Sequence, residues 1–94
     1  MKEVEDLVEV MVKASGYSRE DIFSKKRERP LPALRWFIGD ELVKRGFSVN
    51  IAARLVGIDH ATLLHGRKQI QIMERDKRWY FEYKILNEFQ ALCK

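Results

Sequence analysis

The sequence predicts an all-α domain, on three observations. Apolar residues recur at three- and four-residue spacing along most of the chain, β-branched residues never alternate with period two, and no Asn-Gly or Asp-Gly pair offers a hairpin turn. With 94 residues there is room for one core and not for two. The expected architecture is about six helices with short connections.

Each element has its own signal. Val4, Leu7, Val8, Met11 and Val12 form the stripe of a first amphipathic helix, which ends near Ser15 and Gly16. Ser18, with Asp21 three residues later, resembles a capping box and opens a short helix through Phe23. Residues 24–30, from Ser24 through Lys25, Lys26, Arg27, Glu28 and Arg29 to Pro30, have no periodicity and read as a basic loop. Pro30 and Pro32 suit a first helical turn, and Leu31, Leu34, Phe37, Ile38 and Leu42 continue it as an apolar stripe. Gly46 after Lys44 and Arg45 is the usual order at a helix C-terminus. Ser48 can cap a short helix carrying Ile51, Ala52 and Leu55, which Gly57 breaks. Asp59 can cap a further helix, His60 to about Met73, with Leu63 and Ile70 inward. Asp76 can cap a last helix, about 76–92, with Trp79, Tyr83, Leu86 and either Phe89 or Gln90 on one side and Tyr80 and Phe81 widening the stripe. At this spacing the aromatic cluster reads as core rather than as a stacking platform for single strands. Any part of it left exposed is a candidate surface for a protein partner.

Composition is that of an ordinary globular protein, 46% apolar and 34% charged, which argues against disorder. Cys93 is the only cysteine, so an internal disulfide framework is excluded and a reducing compartment is expected. No apolar run approaches the roughly twenty residues of a membrane span. The acidic start does not read as a signal peptide, so a soluble, cytoplasmic protein is the expectation. The net charge of +4 is unevenly spread: residues 24–79 hold thirteen basic side chains against six acidic ones, whereas residues 1–23 hold three against six. Basic charge gathered in mid-chain can form a face for phosphates, although on charge alone a solvated surface is the commoner meaning.

Residues 48–73 carry the most information. A helix-turn-helix needs a small residue inside its first helix, a glycine in the turn and an apolar anchor inside its second helix. Ala52 and Ala53, Gly57, and Leu63 supply them, with steps of four and six residues from Ala53 to Gly57 to Leu63. With Leu63 inward, Asp59, His60, Ala61 and Thr62 occupy the exposed first turn, the part of such a motif that enters the major groove. His60 and Thr62 can exchange hydrogen bonds with base edges, Thr62 offers a methyl to thymine, and Asp59 can accept from a cytosine amino group. His65, Arg67 and Lys68 follow on the same helix within reach of phosphates. A helical hairpin that merely packs would share the spacing but not this chemistry.

The string Asp59-His60-Ala61-Thr62-Leu63-Leu64-His65-Gly66-Arg67-Lys68-Gln69-Ile70 resembles the signature of the C-terminal DNA-binding domain of DnaA, the bacterial replication initiator. Upstream, Asp21-Ile22-Phe23-Ser24-Lys25-Lys26-Arg27 is similar to the segment in which that family's basic loop follows a short helix. Arg35 matches an arginine early in the family's long helix, and the likeness covers about residues 3–73. It implies a Trp-repressor-like fold that binds duplex DNA sequence-specifically in replication initiation, without a cofactor, beside the nucleoid. It further implies that Arg27 enters the minor groove and that Asp59, His60, Ala61 and Thr62 face bases in the major groove. Lys25, Arg35, Lys44, Ser48, His65 and Lys68 are the matching candidates for backbone phosphates.

The chain departs from that pattern in three ways. Ile58 stands where the family has an arginine, and Ala61 stands where it has Ser or Thr, which together point to an altered preferred site or to weaker affinity. No Gly-x-x-x-x-Gly-Lys-Ser/Thr appears, so the family's ATPase module has no counterpart in these 94 residues. The first two departures also fit a second expectation, a degenerate domain that binds a protein instead of DNA. His60 and His65 are five residues apart, outside the helical ligand spacing, so no metal is expected. No nucleophile–base pair can be argued, and no enzyme is expected.

Overall fold

Helix α3 (Leu31–Lys44) is the element on which the others are laid. The computed structural model describes residues 2–93, which fold into six α-helices with no strand among them. Besides α3 these are α1 (Lys2–Ser15), α2 (Arg19–Ile22), α4 (Val49–Val56), α5 (His60–Ile72) and α6 (Tyr80–Leu92), the last preceded by a 3-10 turn, Lys77–Trp79. The all-helical reading therefore holds.

The helix ends are set by side chains that were legible beforehand. Ser18 Oγ accepts from the Asp21 N–H at 3.1 Å, Ser48 Oγ from the Ile51 N–H at 3.2 Å, and Asp59 Oδ1 from the Thr62 N–H at 2.7 Å. Asp76 Oδ1 accepts from the Arg78 N–H at 3.0 Å and opens the 3-10 turn. Each bond satisfies an amide that the first helical turn leaves without a partner. At the other ends, Gly46 and Gly57 adopt φ of 105° and 78°. Past each glycine the chain bonds back to the helix, Phe47 N–H to Leu42 O at 3.1 Å and Ile58 N–H to Ala53 O at 3.0 Å. This is the six-to-one closure of a Schellman motif, and side chains with a β-carbon resist the left-handed residue it needs.

Leu34, Phe37, Ile38 and Leu42 of α3 meet Leu7, Val8 and Met11 of α1 and Ala52, Ala53 and Val56 of α4 in one core. Helix α6 lies against both α1 and α3, with Ile85, Leu86 and Phe89 buried. The Tyr80 and Phe81 assignment is corrected: they are 68% and 52% exposed. The 3-10 turn turns Trp79 inward, and the buried stripe of α6 starts only at Glu82. The change of helical period leaves Tyr80 and Phe81 outside. No helix among the described residues is long and apolar enough to cross a membrane.

Two glycines inside helices, at positions where no turn requires them, fix how α5 crosses α3. A β-carbon on Gly66 would lie 2.2 Å from Trp36 Cγ, and one on Gly39 would lie 2.8 Å from Leu63 Cδ1. The two backbones thus approach through the absence of side chains, and Leu63, fully buried, sits over Gly39. Intrinsic helix preference favours Ala over Gly by about 1 kcal/mol. Gly66→Ala is nevertheless expected to lose about 1–3 kcal/mol in urea unfolding, because the added carbon meets Trp36 at Cγ, the root of a rigid ring, and the whole indole must shift. Gly39→Ala should lose less, since a leucine methyl can rotate away.

Candidate nucleic-acid interface

The loop after α2 and the first turn of α5 are about thirty residues apart in the chain but adjacent in space. A cleft of about 590 Å³ is lined on one side by Ser24, Lys25 and Arg27, and on the other by Gly57, Ile58, Asp59 and Thr62. Its floor is the N-terminal part of α3, with Pro32, Arg35 and Trp36. The geometry follows from α3, which carries the loop at its start and α5 across its middle.

Of the residues singled out as base readers, Arg27, Asp59, His60 and Ala61 are exposed and Thr62 is half-buried at the wall of the cleft. Arg27 and Lys25 have no acidic partner within 4 Å among the described residues. Lys26 instead reaches Asp21 at 3.7 Å. Asp59 accepts the Thr62 N–H, and that backbone hydrogen bond holds its carboxyl below the usual aspartate range. His65 is exposed and stands edge-on to Trp36, with ring centroids 5.7 Å apart and planes at 85°. Lys68 is exposed on the same helix.

Three cations named for phosphates sit differently. Arg35 is only 8% exposed; its Nε donates to Ile22 O and its Nη2 to Lys26 O, both at 2.7 Å. It is corrected from a phosphate ligand to the brace of the basic loop, and burial pushes its pKa down. Lys44 lies at the far end of α3, 3.3 Å from Asp40 and beside the C-terminal half of α6, so it does not belong to the cleft. Arg67 Nε donates to the same Asp40 at 2.8 Å and ties α5 to α3. Ser48 is exposed, but its hydroxyl caps α4 at the end opposite Gly57. The Ile58 N–H completes the Schellman closure of α4, and its apolar side chain packs on the core.

Sequence reasoning missed the second brace of the loop. Glu82 of α6 is 1% exposed, and its two carboxylate oxygens accept from Arg29 Nε at 2.6 Å and Nη2 at 3.0 Å. Arg29 Nη2 also donates to Arg78 O, and its guanidinium lies 5.0 Å from the Trp79 ring centroid. Trp79 in turn packs on Trp36 at 5.7 Å between ring centroids. A glutamate among the aromatic residues of a buried stripe was the available signal. No group of three or more His, Cys, Asp or Glu among the described residues is placed to hold a metal.

Comparison with protein-family models, with curated proteins and with solved structures returns no significant match.

Two outcomes are expected from this geometry. Arg35→Met keeps the apolar stem but leaves the Ile22 and Lys26 carbonyls unpaired, a loss of about 1–3 kcal/mol in chemical unfolding. Trypsin should then cut at Lys25 to Arg27 faster than in the wild type. Asp59 has a depressed pKa in the folded state, so its contribution to stability is complete above the ordinary aspartate range and disappears as pH falls through the depressed value. An acid titration of the Thr62 amide by NMR should show the hydrogen bond released only below that range.

Proposed function

We propose that the chain binds double-stranded DNA sequence-specifically, with the first turn of α5 in the major groove and Arg27 of the basic loop in the adjacent minor groove. One observation carries the reading: unpaired Lys25 and Arg27 face the exposed Asp59–Thr62 turn across a single cleft. A recognition helix and a cationic arm on the same side of a domain can straddle one phosphate backbone. His60 and Thr62 offer hydrogen bonds to base edges, and Ala61 and the Thr62 methyl offer apolar contact to thymine. Lys25, His65 and Lys68 are the backbone contacts, while Ser48 serves first as a cap. The resemblance to the DNA-binding domain of DnaA supports the same assignment, with a Trp-repressor-like motif and a role like that of a replication initiator. Ile58 and Ala61 direct it to a different preferred site. Such a protein acts in the cytoplasm, against the nucleoid, and needs no cofactor or catalytic centre.

A second reading, a domain that binds protein instead, is favoured by exposed Tyr80 and Phe81 at the start of α6. Mobility shift with random duplex at low salt separates the two, because absence of a shift at micromolar protein removes the first. Selection from a randomised duplex pool should yield a defined short asymmetric site. On that site His60→Ala should weaken binding by about 1–3 kcal/mol and flatten discrimination between sequences. Equal selectivity in wild type and variant would remove the reading role of His60. Lys25→Ala should instead weaken binding to all duplexes alike and reduce the slope of log K against log salt by about one.

A further inference from the structure

The basic loop is held at two points that leave very little free chain between them. Arg35 fixes the Ile22 and Lys26 carbonyls from below, and Glu82 fixes the Arg29 guanidinium from the side of α6. Only Arg27 and Glu28 lie between Lys26 and Arg29. An arginine in this loop could have been one more phosphate ligand, yet Arg29 is bound by a buried carboxylate, a backbone carbonyl and an aromatic face. Burying the Glu82 carboxylate carries a desolvation cost, and an apolar side chain would complete the α6 stripe without it. The carboxylate does what no apolar residue can, which is to hold the end of a polar loop in one position.

We infer that Glu82 is a positioning residue for minor-groove recognition: through Arg29 it presents Arg27 in the orientation that the duplex requires. This rests on the DNA-binding reading above. A loop ordered before it meets the ligand does not lose conformational freedom at binding, so the brace acts on affinity without touching DNA. It also makes α6 part of the binding apparatus, although its own residues lie behind the loop.

The test uses the full chain with its selected duplex and reads the two grooves separately. Guanine N7 methylation interference reports the major groove, and hydroxyl-radical cleavage reports the minor groove. Glu82→Gln is expected to keep the major-groove pattern, to lose minor-groove protection beside it, and to weaken binding on the order of tenfold, the size of one lost direct contact. Backbone NMR order parameters at Arg27 and Glu28 should fall in the free variant while those of α5 stay unchanged. Should Glu82→Gln fail to fold, Arg29→Lys leaves α6 intact, keeps the charge, and removes the two-pronged geometry; the same split at smaller size is expected. Unchanged minor-groove protection in a folded variant overturns the proposal, as does equal loss in both grooves. A wild type that protects neither groove instead sinks the DNA-binding reading, and unchanged order parameters at Arg27 in Glu82→Gln then refute the brace as well.

Discussion

The close crossing of α3 and α5 is the constraint from which the remaining geometry follows. Trp36 lies directly against the backbone of Gly66, and Leu63 lies over Gly39, so neither helix can rotate or slide without collision. Interiors are packed densely enough that such contacts have discrete solutions rather than a continuum. Because α3 also starts where the basic loop ends, fixing α5 on α3 fixes the distance between the loop and the first turn of α5. Trp36 is the shared part: it touches Gly66 and His65 on one helix and Trp79 before α6 on the other side.

Around that apolar joint, the polar segment is held by charge. The loop has no hydrophobic side chain between Phe23 and Pro30 with which to anchor itself. Two arginines perform that task from opposite directions, Arg35 by reaching out of α3 to loop carbonyls and Arg29 by reaching from the loop to Glu82. Arginine suits both positions because its planar fork makes several directed bonds at once. The result is an exposed cationic segment with a defined shape.

Much of this was legible in the sequence, and what was not has physical reasons. Ser18, Ser48, Asp59 and Asp76 were recognisable as caps because capping depends on a short side chain next to its own helix. Ala53, Gly57 and Leu63 declared the turn between α4 and α5 for the same local reason. Pairing is different, since nothing local distinguishes Lys25, which is free, from Lys44 or Arg67, which share Asp40. Arg35 was read as a ligand because its burial is a property of the assembled fold. Gly66 inside a helix could have been taken as a sign of close packing, but the sequence does not name Trp36 as its neighbour. Tyr80 and Phe81 were placed inward because periodicity alone does not register the switch from a 3-10 turn to an α-helix at Tyr80.

Asp40 has a consequence for how the molecule appears to a polyanion at a distance. It is 7% exposed and holds Lys44 and Arg67 together, so one inward acid draws on the field of two surface cations. The potential in front of the central part of the chain is therefore weaker than its tally of lysines and arginines implies. Exposed Lys25 and Arg27 have no acidic partner within 4 Å among the described residues, and neither do Arg54, Lys68, Arg75 and Lys77, so the remaining positive field arises at several stations along the chain and not at the cleft alone.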